Sequence, residues 1–240
     1  KAKWVLDGHK TAEPVHSTYV GVVSRESVWI ALTYAALNQL DVMAADTWNA
    51  YLQAPSSEKH FIVCGPEFGL ENLGNRALIK RALYGGKSAG RDFRNHLRSC
   101  MVHLEFLPCP ADPNIWLRPA LKADGTSCYE YVLLYTDDVL VVSENCETIL
   151  CDGIGKYFEL KESSIGPPDI YLGGKLSKVT LENGVLAWSF SSSKYVQESV
   201  KNVERYLKSK DMVLPKKAKT PIRTTYRPEL DASPELTGSQ

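Results

Sequence analysis

Two adjacent carboxylates stand in the middle of an apolar stretch of this 240-residue chain. Asp137 and Asp138 come shortly after the apolar residues 131–134 and directly before the apolar residues 139–142. Short apolar runs on both sides of a polar pair predict two buried strands joined by a turn. A charge at the centre of such a hairpin loses hydration unless a cation compensates it. The pattern therefore predicts a cation site at the turn, with an ordinary hairpin turn as the alternative.

A third carboxylate ends another predicted strand. Residues 40–46 form an apolar run that closes on Asp46, and residues 49–53 then read as a helical turn. A helix capped by Ser24 is predicted to end near residue 40, and a second helix is predicted from Ser88 to residue 104. This order of elements places the three acids on neighbouring strands of one antiparallel sheet backed by two helices, which is an α+β arrangement.

Shorter patterns predict the remaining elements. Strands are expected at residues 3–6, 62–64, 115–117, 129–134, 171–179 and 185–190, and helices at residues 147–158 and 194–208. Gly125 and Gly184 each follow a short polar side chain at a predicted hairpin turn.

Five short blocks lie in order along the chain: residues 1–5 (KAKWV), 46–52 (DTWNAYL), 81–87 (RALYGGK), 135–138 (YTDD) and 171–175 (YLGGK). Any one of them alone would be a weak indication. In order, spacing and residue type, the five blocks resemble the reverse transcriptase domain of copia-type LTR retrotransposons. The resemblance extends from Lys1 to about Pro221.

The resemblance implies a right-hand polymerase fold, with an antiparallel palm sheet backed by helices, fingers and a partial thumb. Residues 1–190 would form the interleaved fingers and palm, residues 191–215 the start of the thumb, and residues 216–240 an extended linker or tail. The implied activity is that of an RNA-directed DNA polymerase, a nucleotidyltransferase that adds deoxynucleotides to a primer. Because the chain opens on Lys1 and not on Met, we expect a fragment of a longer polyprotein.

The same resemblance implies a metal site. Asp46 and Asp137 are expected to bridge two Mg²⁺ ions, for which Mn²⁺ can substitute, and Asp138 to support the ion that activates the primer hydroxyl. Two ions about 3.5–4 Å apart neutralise charge on the attacking and leaving oxygens. Mg²⁺ prefers carboxylate oxygens and shares its other positions with water and substrate phosphates.

The blocks also imply a set of residues that bind the incoming nucleotide: Tyr51, Tyr84, Gly85, Lys87 and Lys3. Tyr51 is expected to collide with a ribose 2′-hydroxyl and so select deoxynucleotides, with a core tyrosine as the alternative. Gly85 would let the backbone approach the substrate closely, with a plain turn as the alternative. The chain departs from the family at Lys3, where Arg is usual, and at residues 85–91, which read GGKSAGR in place of GLKQAPR.

Further blocks imply contacts with the primer and with pyrophosphate. Leu172, Gly173 and Gly174 match the hairpin that grips the primer end, and Lys175 replaces an acid that is common in the family. Lys161 is a candidate general acid that protonates pyrophosphate, with a solvated lysine as the alternative.

The chain has a formal net charge of zero, but its basic residues are clustered. Residues 76–98 contain seven Lys or Arg against one acid, and residues 194–227 contain ten against three acids. Two basic segments around an acidic centre suit a protein that binds the phosphates of an RNA or DNA template with its primer. Two solvated helix faces are the alternative.

Other features limit the setting in which the chain acts. No apolar stretch approaches the ~20 residues of a membrane span, so no membrane partner is expected. The six cysteines have no zinc-binding spacing and are expected to be free thiols in a reducing compartment. The resemblance implies deoxynucleoside triphosphates as substrates and other polyprotein segments, such as RNase H and integrase, as partners. It also implies an intracellular location, in the cytoplasm or in virus-like particles.

Two other functions remain open from the sequence. A decayed or domesticated copy would bind nucleic acid without catalysis, but it would have no reason to keep all three acids. A Mg²⁺-dependent hydrolase could use the acidic pair, but it leaves the other four blocks unexplained.

Overall fold

The computed structural model describes residues 4–213, which contain ten strands and four α-helices. The strands are β1 (Asp41–Asp46), β2 (Pro55–Val63), β3 (Arg76–Arg81), β4 (Leu107–Pro108), β5 (Ile115–Leu121), β6 (Ser127–Tyr135), β7 (Asp138–Ser143), β8 (Ile170–Tyr171), β9 (Gly174–Thr180) and β10 (Leu186–Ser191). The helices are α1 (Arg25–Leu37), α2 (Ala50–Gln53), α3 (Ala89–His103) and α4 (Ser193–Lys208). The chain divides into two units, Lys1–Ser192 and Ser193–Gln240.

Three antiparallel sheets form the first unit. The largest has the strand order β1-β7-β6-β5-β4, a second has the order β10-β9-β8, and β2 pairs with β3. Every strand pair in these sheets is antiparallel. The predicted α+β class, with helices and antiparallel sheet, is confirmed.

Apolar clusters cover both faces of the five-stranded sheet. On one face, Phe93 and Leu97 of α3 share a buried cluster with Val139. On the other face, Leu32 of α1 shares a cluster with Leu140, together with side chains from β9 and β10. Because successive strand residues point to opposite faces, a strand buried on both sides must be apolar at every position. This burial explains the unbroken apolar run of residues 139–142.

The helix predicted over residues 147–158 is confirmed as a helical segment, but its winding is irregular. The segment is a π-helix at Thr148–Gly153 followed by a 3₁₀-helix at Ile154–Lys156. The backbone of Gly153 leaves the helical region, with φ −93° and ψ −88°. A Cβ at Gly155 would lie 3.0 Å from the carbonyl oxygen of Leu150. Glycines at these two positions permit the irregular winding.

The sequence patterns missed the β2–β3 hairpin and misjudged two strands. The strand expected at residues 62–64 is part of a longer strand, β2, that begins at Pro55. Arg76, Lys80 and Arg81, the first basic residues of the first basic segment, lie on β3, which was not predicted. Residues 4–6 form no strand, although Leu6 N–H donates to Tyr84 O at 2.7 Å.

The predicted strand at residues 171–179 is divided by a turn. Leu172 and Gly173 both have positive φ, 49° and 73°, and they connect β8 to β9. The next hairpin, β9–β10, turns at Gly184 with φ 78°, as predicted.

The second unit contains α4, which confirms the helix predicted at residues 194–208. Its apolar residues Val196, Val200, Val203 and Tyr206 are exposed.

No helix within residues 4–213 is long and apolar enough to cross a membrane. The predicted tail at residues 216–240 lies outside the described residues.

Candidate active site

The three acids meet at one end of two neighbouring strands. Asp46, the last residue of β1, is the cross-strand partner of Asp138, the first residue of β7. Asp137 lies in the turn just before β7, and its carbonyl oxygen accepts a hydrogen bond of 2.9 Å from Thr47 N–H. Direct cross-strand partners project from the same face of a sheet. The structure thus confirms the predicted placement on neighbouring antiparallel strands.

The carboxyl of Asp138 is partly buried and lies near two other negative charges. Burial first, and then the charges of Asp137 and Asp46, raise the pKa of this carboxyl from its usual 3.8 to about 6, against a lowering effect of Lys161. Carboxylates that disfavour one another's ionised form are an arrangement that a bound cation stabilises. The cluster is therefore electrostatically suited to a positive ion.

A loop closes over the free edge of β1 beside Asp46. Trp48 N–H donates to Glu159 O at 2.9 Å, and Ala44 exchanges two backbone hydrogen bonds with Gly166. Between these contacts, Lys161 Nζ lies 3.4 Å from Asp46 Oδ2. The lysine that the sequence proposed as a general acid is thus brought to the acidic cluster.

Ser164, in the same loop, was not predicted as a site residue. Asp46 N–H donates to Ser164 Oγ at 2.8 Å, and Ser164 Oγ donates to Lys161 O at 2.6 Å. Lys161 N–H in turn donates to Asp46 O at 2.8 Å. A serine among small loop residues carries no signal of this contact, because the partner is distant in the chain.

Tyr51 is half-buried near the start of α2. Its ring stacks on that of Tyr84, with ring centroids 4.9 Å apart, and packs at 6.0 Å from Phe93. Burial raises the pKa of Tyr51, and the charge of Asp137 raises it further. The pKa of Tyr84 is raised by burial, then by Asp137, Tyr51 and Asp46. Both phenols therefore lie within the electrostatic reach of the acids.

The donor chemistry of the cluster fits Mg²⁺. Carboxylate oxygens are the ligands this hard cation prefers. Within residues 4–213, no group of three or more His, Cys, Asp or Glu side chains is arranged so that it could hold a metal ion by itself. Mg²⁺ is commonly held by one or two carboxylates, with water and substrate phosphates completing its shell. The acids present therefore have the donor chemistry of a Mg²⁺ site whose remaining positions are filled by other ligands.

The profile of the family described as reverse transcriptase (RNA-dependent DNA polymerase) matches residues 1–209. The chain belongs to the reverse transcriptase family. It is also similar to a retrovirus-related Pol polyprotein from transposon RE1 of Arabidopsis thaliana, at 25% identity over 168 residues. That match covers 68% of this chain and 11% of the polyprotein. The family and the retrotransposon kinship inferred from the five blocks are confirmed.

The reverse transcriptase block at residues 81–87 contacts the chain's own N-terminal region. Gly85 has φ +84°, and a Cβ there would lie 2.1 Å from Leu6 O. Lys87 Nζ donates to Glu13 Oε1 at 2.7 Å and to Thr11 O at 3.1 Å. The close approach that Gly85 permits is thus to Leu6, in a turn where Gly86 N–H donates to Leu83 O. The block thus forms a turn packed on Leu6, and a contact of Gly85 with a nucleotide stays a prediction.

The block at residues 171–175, predicted to contact the primer, contains the β8–β9 turn described above. Leu172 is half-buried, Gly173 is exposed and Gly174 is buried. Tyr171, just before them, is 2% exposed, and its hydroxyl has no hydrogen-bond partner within the described residues. Lys3 lies outside the described residues.

Some side chains of the first basic segment, residues 76–98, form ion pairs or hydrogen bonds within the protein. Arg91 pairs with Asp92 at 3.1 Å, and Arg94 donates to Asn114 Oδ1 at 2.9 Å. The basic residues of β3 are exposed: Arg76, Lys80 and Arg81. Of the second basic segment, residues 194–213 belong to the second unit and residues 214–227 lie outside the described residues. A phosphate-binding cleft shared by the two segments therefore stays a prediction. The six cysteines are all free, as predicted.

Proposed function

We propose that this chain is the polymerase segment of a copia-type retrotransposon reverse transcriptase. It would add deoxynucleotides to a primer by a two-metal mechanism. The observation that carries the proposal is the pairing of Asp46 with Asp138 across β1 and β7, with Asp137 in the adjoining turn. In this proposal the five-stranded sheet belongs to the palm, the β2–β3 hairpin to the fingers and α4 to the start of the thumb.

Asp46 and Asp137 would hold two Mg²⁺ ions, or Mn²⁺ in their place, and Asp138 would support the ion nearer the primer. When bound, these ions supply activation of the primer hydroxyl and neutralisation of phosphate charge. The acids contribute by fixing three negative charges at one sheet end, in a geometry set by strand register. Preorganised charge of this kind requires no rearrangement during the reaction.

The surrounding side chains would select and orient the substrates. The ring of Tyr51, held against Tyr84, would exclude a ribose 2′-hydroxyl by collision. The turn at Leu172 and Gly173 would contact the primer end. Lys161 carries a proton at Nζ beside Asp46 and could transfer it to pyrophosphate.

The partners and setting of the reaction follow from the same proposal. They are an RNA or DNA template with its primer, deoxynucleoside triphosphates, and other polyprotein segments such as RNase H and integrase. The cytoplasm or a virus-like particle would be the place of the reaction.

Primer extension on RNA and DNA templates with Mg²⁺ or Mn²⁺ tests this function. Template-dependent extension that chelation abolishes would support it. Binding of primer–template without extension under every metal condition would favour a decayed copy, which the intact acid triad argues against.

A further inference from the structure

The loop over the edge of β1 contacts Asp46 at its backbone and at its carboxylate. Ser164 Oγ accepts from Asp46 N–H, Lys161 N–H donates to Asp46 O, and Lys161 Nζ pairs with Oδ2. Ser164 Oγ also donates to Lys161 O, which fixes the loop on itself. Both backbone polar groups of Asp46 are therefore satisfied by one four-residue segment, residues 161–164.

We propose that this segment is a positioning device for Asp46. Ser164 fixes the backbone of Asp46, and the ammonium of Lys161 neutralises its carboxylate until a divalent cation displaces it. The inference rests on the proposed metal-dependent function and deepens it. Ser164 and Lys161 act here through Asp46, so they are positioning residues in this role.

The charge distribution supports a resident counter-ion. Three carboxylates share one sheet end, and within residues 4–213 the only ion pair to any of them is the one from Lys161. In the metal-free protein, the ammonium of Lys161 is the one described ion-pair partner that reduces the repulsion among the three acids. The basic group therefore stands where positive charge is most needed in the metal-free protein.

The solvent exposure of the Lys161–Asp46 ion pair is compatible with displacement of the ammonium by a divalent cation. The side chain of Lys161 is 45% exposed and that of Asp46 is 34% exposed. Ion pairs this open to solvent hold weakly, so a doubly charged ion can replace the ammonium at small loss. A fully buried pair would resist such an exchange, because its partner charge would be stranded.

The opposite end of β1 supplies a matched control. Lys178 Nζ lies 3.3 Å from Asp41 Oδ1, with side chains 54% and 68% exposed. Asp41 faces Ser143 across the sheet, so its carboxylate has no acidic cross-strand partner. Lys178→Met thus removes the same kind of ion pair from the same strand, away from the acidic cluster.

Mn²⁺ binding, measured by calorimetry and by the electron paramagnetic resonance of free Mn²⁺, tests the exchange directly. Lys161→Met should bind Mn²⁺ about three- to tenfold more tightly than wild type, because a competing cation is gone. In the presence of chelator, the melting temperature of Lys161→Met should be lower than that of wild type. Saturation with Mn²⁺ should raise the melting temperature of Lys161→Met by more than it raises that of wild type. Lys161→Arg and Lys178→Met should both match wild type in affinity and in this rise.

Ser164 is tested by a second pair of variants. Ser164→Ala removes the acceptor for Asp46 N–H and should weaken Mn²⁺ binding several-fold, whereas Ser164→Thr keeps the hydroxyl and should restore it. If Ser164→Ala does not fold, the Lys161 series still decides the exchange.

Failures of the two proposals can be told apart. If wild type binds no Mn²⁺, the metal-dependent function is wrong and this inference with it. If wild type binds Mn²⁺ and Lys161→Met has the same or lower affinity, only the displacement is wrong. A folded Ser164→Ala protein with wild-type affinity would remove Ser164 from the device.

Discussion

Asp46 and Asp138 are direct cross-strand partners at the end where β1 and β7 meet the hairpin turn. Like charges placed directly opposite one another destabilise a sheet. Burial along β7 offsets this repulsion, because residues 139–142 are all completely buried. The fold therefore holds an unfavourable pair of charges in a register that apolar burial enforces.

Replacing Asp137 with Asn should abolish catalysis and spare binding. The amide keeps the size of the side chain but lacks the charge a divalent ion requires, so primer extension should fall about 100-fold or more. Affinity for primer–template, measured by fluorescence anisotropy, should stay within about twofold. Asp41→Asn, at the far end of β1, is the control. Extension at the wild-type rate in Asp137→Asn would remove this carboxylate from the site.

Removing the ring of Tyr51 should change the sugar preference. Tyr51→Ala should raise ribonucleotide over deoxynucleotide incorporation by about tenfold or more, because the clash with a 2′-hydroxyl is lost. Tyr51→Phe keeps the ring against Tyr84 and should retain the wild-type preference. Single-nucleotide incorporation assays give both ratios. Unchanged selectivity in Tyr51→Ala would make Tyr51 a core residue only.

Stability of the metal-free protein should decrease as pH rises from about 4 to about 6. The pKa of Asp138 is raised to about 6, so the folded state binds this proton more tightly than the unfolded chain does. Its stabilising contribution is complete below the usual value of 3.8 and is lost as pH passes the folded value. Screening at a half-exposed carboxyl limits the effect to on the order of 1 kcal/mol. Urea unfolding of wild type and Asp138→Asn measures it, and equal pH slopes would contradict the assignment.

Gly85→Ala should destabilise the fold far more than Gly125→Ala. Both glycines have nearly the same positive φ, +84° and +83°, but a Cβ at Gly125 meets nothing within 4 Å. The control should therefore lose only about 1–2 kcal/mol of unfolding free energy, from backbone strain. Gly85→Ala adds a collision with Leu6 O and should lose roughly 1–3 kcal/mol more. Similar denaturation midpoints would mean that the chain before residue 9 moves aside freely.

The predictable parts of the structure were those that periodicity and local chemistry determine. The capped helix α1, the apolar face of α3 and the Asp137 hairpin all follow from patterns within a few residues. The π-helix after residue 147 did not, because its apolar spacing is also that of an α-helix. The β2–β3 hairpin was missed because β3 is rich in Arg and Lys and has little apolar alternation.

Some residues of the candidate site could likewise be predicted from the sequence, and others could not. Asp46, Asp137 and Asp138 were identifiable from strand endings and from family blocks, and strand register then brought them together. Ser164 was not, since its contact with Asp46 is made by an ordinary loop residue. Gly85 was identified as a special position, but its close approach to Leu6 was not predicted, because a sequence indicates that a close approach is needed and not what approaches.

The loop contact with Asp46 also orders events during synthesis of the protein. Asp46 and Lys161 are 115 residues apart in the chain, and Asp46 and Ser164 are 118 apart. Contacts across such distances carry a large loop-closure entropy and form slowly. On the ribosome, β1 emerges long before its partner strand or its covering loop can reach it. A translation product that stops before residue 161 would contain Asp46 and both hairpin acids, yet it would lack the segment that holds Asp46 in place.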